Sequence, residues 1–191
     1  SPNAGAEFSR VWERFGWSHV SASTEQATPD LGADESVRVL HLLDVLPLAT
    51  LAQAIEGISH WLSTRSAKQS SDHLLRNVWK RVWPLAVRAT NDQTPDEPEG
   101  TPSLSAVVKT SGDAEPQDLD TLNTSAGKLV GTFLHMCPNL NNSPSPFLDD
   151  GLRELRDELT SAKGRSLLIV HHRLIDQLSY FLAADRSWTE D

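Results

Sequence analysis

The chain has 191 residues, 38% of them hydrophobic, enough for one domain with a real core or one domain plus a small appendage. Its formal charge of -9 argues against a general nucleic-acid binder, which needs a basic face, and no apolar run approaches the roughly 20 residues of a membrane span. A single cysteine, Cys137, excludes an internal disulfide and fits a reducing cytosol, the expected location. The opening Ser1-Pro2-Asn3-Ala4-Gly5 has neither the basic nor the apolar region of a signal peptide, and reads as a linker or an artificial end.

Apolar spacing then predicts helices from one end to the other. Phe8, Val11, Trp12 and Phe15 lie one turn apart, and Gly16 ends that short helix. A polar loop, 21–32, leads to a helix that begins at Asp34 or Glu35 and turns Val37, Leu40, Leu43 and Leu46 inward. Pro47 breaks it and suits the first turn of the next, where Leu48, Leu51, Ala52, Ile55, Ile58 and Leu62 form one stripe flanked by Trp61. Ser71 or Asp72 caps a fourth helix carrying Leu74, Leu75, Val78, Trp79, Val82 and Leu85, with Pro84 tightening its last turn.

Residues 91–120 hold four prolines and the acidic residues Asp92, Asp96, Glu97, Glu99, Asp113, Glu115, Asp118 and Asp120 against Lys109 alone. Such a segment buries too little apolar surface to offset its ordering entropy, so it reads as a linker or loop. It separates an N-terminal helical half, 1–90, from a C-terminal half, 121–191. Much of the net charge sits there, so a local basic patch elsewhere stays open.

The second half opens with Leu119, Leu122 and a cap at Asn123 or Thr124, followed by Leu129, Val130, Phe133, Leu134 and Met136 on a helix ending before Pro138. After a loop to Pro146, the stripe Leu148, Leu152, Leu155 and Leu159 runs to a stop at Lys163 and Gly164. A last long helix carries Leu167, Leu168, Leu174, Ile175, Leu178, Phe181 and Leu182. The expectation is therefore an all-α fold of about seven helices in antiparallel hairpins, either a solenoid-like stack or an irregular bundle. The end at Arg186–Asp191, where Ser187 or Thr189 is placed to cap a further helix, implies a piece of a larger protein.

Catalytic motifs are sparse. There is no P-loop, no dinucleotide fingerprint and no Gly-x-Ser-x-Gly elbow, and Ser125-Ala126-Gly127-Lys128 is a superficial echo of a phosphate loop. His135 and Cys137 are two soft ligands where a structural zinc needs four, so neither metal nor cofactor is expected. Asp149 and Asp150 complement a helix N-terminus, with Glu154, Asp157 and Glu158 on its wet face beside Arg153 and Arg156. Arg165 precedes His171 and His172 at the spacing of the Arg–His dyad in all-helical HEPN-type ribonucleases, and Arg14 precedes His19 similarly. With His171 on the apolar stripe, a core-edge histidine is the competing reading. Trp79 and Trp83 bracket Lys80 and Arg81, which suits stacking on nucleic-acid bases or, as core, filling between helices.

Two stretches carry a resemblance: Leu122-Asn123-Thr124-Ser125-Ala126-Gly127-Lys128-Leu129 at a helix entry, and Leu178 to Thr189 with its Tyr180-Phe181-Leu182-x-x-Asp185-x-x-Trp188 pattern at a helix exit. With Ile58-Ser59-His60-Trp61-Leu62, they resemble the C-terminal helical region of bacterial defence-associated sirtuin-like proteins, over about half the chain. In that family an NAD-consuming domain precedes a helical array thought to sense phage components or control assembly. The resemblance implies a non-catalytic regulatory or interaction segment, with no catalytic residue to carry over. The expected partner is another protein or the rest of the same polypeptide, with Trp79, Lys80, Arg81, Trp83 and Trp188 as the candidate surface and no membrane. Nucleic acid through those residues, and RNA cleavage through Arg165 with His171 or His172, are the alternatives.

Overall fold

The computed structural model describes Val11 and residues 33–65, 73–92 and 123–190. The expected first helix, apart from Val11, and the acidic segment beyond Asp92 lie outside the described residues. Every regular element among the described residues is helical: α1 (Ala33–Val45), α2 (Leu48–Gln53), α3 (Ile55–Arg65), α4 (His73–Asp92), α5 (Ser125–Met136), α6 (Asp150–Thr160), α7 (Gly164–Ile175), α8 (Leu178–Ala184) and α9 (Arg186–Glu190), with a 3-10 turn at Pro146–Leu148. The all-α expectation holds. Among the described residues no helix is long and apolar enough to cross a membrane.

Helices α4 and α5 form the centre. Helix α4 packs against α1, α2, α3, α5, α6 and α7, while α5 also meets α3, α6 and α7. One continuous core joins Leu40 and Leu43 of α1, Ile58, Trp61 and Leu62 of α3, Trp79 and Trp83 of α4, Phe133 of α5 and Leu155 of α6. Both halves of the chain therefore contribute to the same apolar interior. The start of α5 is buried on nearly all sides, as expected of a helix surrounded by others. Thr124 caps it, its hydroxyl accepting the Gly127 N–H at 3.0 Å.

Several boundaries differ from the sequence expectation. The stripe predicted for one helix from Leu48 to Leu62 is broken at Ala54, so Pro47 caps a short α2 and α3 begins anew at Ile55. The break re-aims the chain: Leu48 is left in solvent, while Trp61 is fully buried instead of flanking. Helix α4 runs two turns past Pro84 to Asp92. Proline removes one helical hydrogen bond, that to the Lys80 carbonyl, but Pro84 lies on the exposed side where water can serve that oxygen. The far end is fixed by burial of Trp83, Ala86 and Thr90.

Gly164 has the left-handed backbone expected of it, with φ of +61°, yet it opens α7 instead of closing α6, which has already ended at Thr160. There Asn91 fastens the corner. Its amide donates to the Lys163 carbonyl at 3.0 Å and its oxygen accepts from the Ser166 N–H, also at 3.0 Å. The last long helix is three helices: α7 breaks after Ile175, α8 after Ala184, and Asp185 accepts the Trp188 N–H at 3.2 Å at the start of α9. Neither Ser187 nor Thr189 caps a further helix; both lie within α9.

Candidate functional site

Of the two histidines at the ribonuclease spacing, His172 shares a side of α7 with Arg165 and His171 does not. Arg165 sits in the first turn of α7, and the face of that helix turned to the core is Ser166, Ile169, Val170 and Leu174. His171, expected on the apolar stripe, is exposed because that stripe is rotated from the one predicted through Leu167 and Leu168. His172 shares the side of Arg165 but lies two turns on, roughly 10 Å along the axis, and faces Asp176 at 3.6 Å. The pair His172–Asp176 is one of neighbouring turns on one helix.

The aromatic and basic surface on α4 is also corrected. Trp79 and Trp83 are core residues, stacked at 5.1 Å and 11° between planes. Their indole N–H groups donate to the Leu129 carbonyl at 2.9 Å and the Glu158 carbonyl at 3.3 Å. No ring face is left for a base. Lys80 pairs with Glu154 on α6. Arg81 donates to the Leu43 and Leu46 carbonyls at 2.9 and 2.7 Å, holding the C-terminal end of α1. Both cations staple α4 to its neighbours.

Trp188, the remaining member of that surface, belongs to a different constellation. Arg156 of α6 is only 4% exposed, and its guanidinium lies 4.8 Å from the Phe147 ring centroid and 4.3 Å from that of Trp188. Its Nη1 donates to Asp185 at 2.6 Å, and its Nε to Asp157 at 3.1 Å. The hydrogen bond from Arg156 holds the Asp185 carboxyl below the usual carboxylate range, with the Trp188 N–H helping against a smaller desolvation effect. Phe181 completes the cage, 5.9 Å from Phe147 and 5.7 Å from Trp188. Sequence reasoning placed Arg156 on a solvated helix face. Its partners are 29 residues away at Asp185, a separation helical spacing does not reveal.

A polar seam lies between α3 and α5. Lys128 is 8% exposed, and burial lowers its pKa while the charge of Glu56 works the other way. Burial, followed by the Lys128 charge, lowers that of His60. The one signal was Lys128 inside an otherwise apolar helix.

A cleft of about 470 Å³ opens between the end of α5 and the α7–α8 joint, with Cys137 and Tyr180 in its wall. Burial pushes the Cys137 thiol up to about 12, so it is a protonated, weak nucleophile at neutral pH. Tyr180 donates to the Pro138 carbonyl at 2.9 Å, and burial raises its pKa as well. Among the described residues no group of three His, Cys, Asp or Glu side chains is placed to hold a metal ion.

A departure from a simple amphipathic pattern is found on α7 and α8, as it is at Leu42, Val45 and Leu48 around α1 and α2. While Ile169, Val170, Leu174 and Phe181 face the core, Ile175, Leu178 and Leu182 are 60%, 44% and 38% exposed. With half-buried Leu168 and exposed His171, they recur at spacings of three, four, three and four. Within α7, Leu168, His171 and Ile175 therefore share one side, and within α8 Leu178 and Leu182 do, with the break at residues 176–177 between the two. Sequence reading merged this outer row with the core row into one stripe.

No protein-family model, characterised protein or solved structure matches the chain.

Proposed function

We propose that this chain is a non-catalytic helical interaction segment whose docking surface is the outer row of α7 and α8, and whose partner is an amphipathic protein helix with acidic flanks. The observation that carries this reading is the exposure of Ile175, Leu178 and Leu182 on helices that already bury a separate apolar face. A helix that is apolar on two sides has a second surface to cover. The charge of the segment as a whole favours an acidic partner: residues 164–184 contain Arg165 and Arg173 against the single acid Asp176, with Arg173 acting from the side turned to α5.

The wider context, a regulatory segment of a larger bacterial anti-phage defence protein, rests on the resemblance of residues 122–129 and 178–189. The Tyr180-Phe181-x-x-x-Asp185-x-x-Trp188 residues also have a role in folding: they build the C-terminal packing around Phe147 and Arg156.

A synthetic amphipathic helix of about three heptads, with leucine at a and d and glutamate beside them, is the probe. We expect it to bind the chain at low salt, and Ile175→Glu with Leu182→Glu to weaken binding at least tenfold while the fold persists. A lysine-flanked version of the same helix should bind more weakly. Equal binding to the wild-type chain and the double variant would remove the reading.

A further inference from the structure

We propose that α9 is a releasable strap, and that the cage it fills around Arg156 is a receptor for an Asp-x-x-Trp turn, able to take the same turn from a second copy of the chain. The cage around Arg156 carries this inference; it shares α8 with the outer row but uses the buried face of that helix, at Phe181.

Helix α9 buries none of its residues. The contacts that tie it to the body come from Asp185, just before it, and from Trp188 at its middle. Asp185, in the extended corner after α8, binds the Arg156 guanidinium at 2.6 Å, and Trp188 lays its ring 4.3 Å from that cation. The Arg186–Glu190 pair lies within α9 itself and does not bind it to the body.

The receptor, by contrast, is built into the body. Arg156 comes from α6, Phe147 from the turn before α6 and Phe181 from α8, and all three are buried. When the strap leaves, a guanidinium is uncovered with Phe147 on one side and a vacated aromatic position on the other. That combination selects a carboxylate and an aromatic ring three residues apart, the spacing of one helical turn. The one ligand whose fit is visible is this chain's own Asp185–Trp188, so a second copy is the partner of matching chemistry. Exchange of a short element between identical chains needs no new contact.

In the wild-type chain the tethered strap competes at an effective concentration on the order of millimolar. The test therefore uses the full chain carrying Trp188→Ala and a labelled peptide of residues 183–190, followed by fluorescence anisotropy. The expected result is at least tenfold tighter binding by Trp188→Ala than by wild type. In the Trp188→Ala chain, a further Arg156→Lys change keeps the charge but loses the planar stack, and should reverse the gain. Equal binding by wild type and Trp188→Ala, or none to a folded Trp188→Ala chain, overturns the proposal.

Hydrogen exchange on the unaltered chain gives a second test that does not depend on a variant folding. The amides of α9 should exchange at least a hundredfold faster than those of Ile169 and Val170. Comparable rates would show that the strap does not open separately, and the proposal fails.

Discussion

Tryptophan meets arginine in two regions of this molecule, and the two outcomes differ. On α4, Trp79 and Trp83 have Lys80 and Arg81 between them in sequence, yet neither cation packs on a ring: the rings stack inside the core and the cations reach α6 and α1. At the C-terminal end, Trp188 has Arg156 on its face although 32 positions separate them (188 − 156). Residues one or two apart on a helix point in different directions, so adjacency in sequence separates them in space. A tertiary contact between α6 and α9 does what adjacency does not. The first pair serves stability; the second closes over a buried charge and lies at the rim.

The largest effect that separates the regions is expected at Trp79. Trp79→Ala empties the centre of the α4–α5 contact and removes the second hydrogen bond to the Leu129 carbonyl, and should destabilise the chain by about 3–5 kcal/mol. Urea unfolding followed by circular dichroism measures it. A loss under about 1 kcal/mol would mean that the two regions are equally peripheral.

Arg156→Ala comes next, at about 3 kcal/mol, near the lower end of the range for breaking a buried ion pair. It is lower because the surviving partner, Asp185, is partly exposed and can rehydrate. Its companion is a pH effect. The folded-state pKa of Asp185 is lowered from 3.8, chiefly by the Arg156 hydrogen bond. The stabilisation is thus fully present above that unfolded value and is lost as pH falls through the lower folded value. Asp185→Asn should remove this part of the acid-side loss. An unchanged acid profile in Asp185→Asn would place the acid sensitivity elsewhere, for instance at Asp149, which Arg76 holds low in the same way.

Trp188→Ala should cost about 1–2 kcal/mol, the contribution of one ring over a desolvated cation. A cost equal to that of Trp79→Ala would erase the distinction between core and rim. The smallest effect belongs to Ile175→Glu on the outer row, within about 0.5 kcal/mol, because the side chain is mostly in water already. A loss above about 2 kcal/mol would show that Ile175 has a packing partner, and would count against the row as a docking surface.

Much of the helical content was legible locally. The cap at Thr124, the end of α5 before Pro138 and the inward Leu152, Leu155 and Leu159 all follow from spacing and capping chemistry. Leu148, placed on the same stripe, is exposed because the chain there is a 3-10 turn with a different pitch. The candidate sites were less legible. His171 was mis-phased because α7 has two apolar rows and periodicity reports only their sum. Arg156 looked like a surface residue because burial of a cation depends on what packs over it.

The sequence by itself determined that the described chain is helical, where several helices start and stop, and that no familiar catalytic motif is present. Those properties reside in windows of a few residues, the range of backbone hydrogen bonding and capping. Only the tertiary structure decided which tryptophans are core, which apolar row of α7–α8 stays outside, and that Arg156 closes a cage with Phe147, Asp185 and Trp188. Burial and charge pairing depend on elements brought together from distant positions, and that information exists only once the helices have packed.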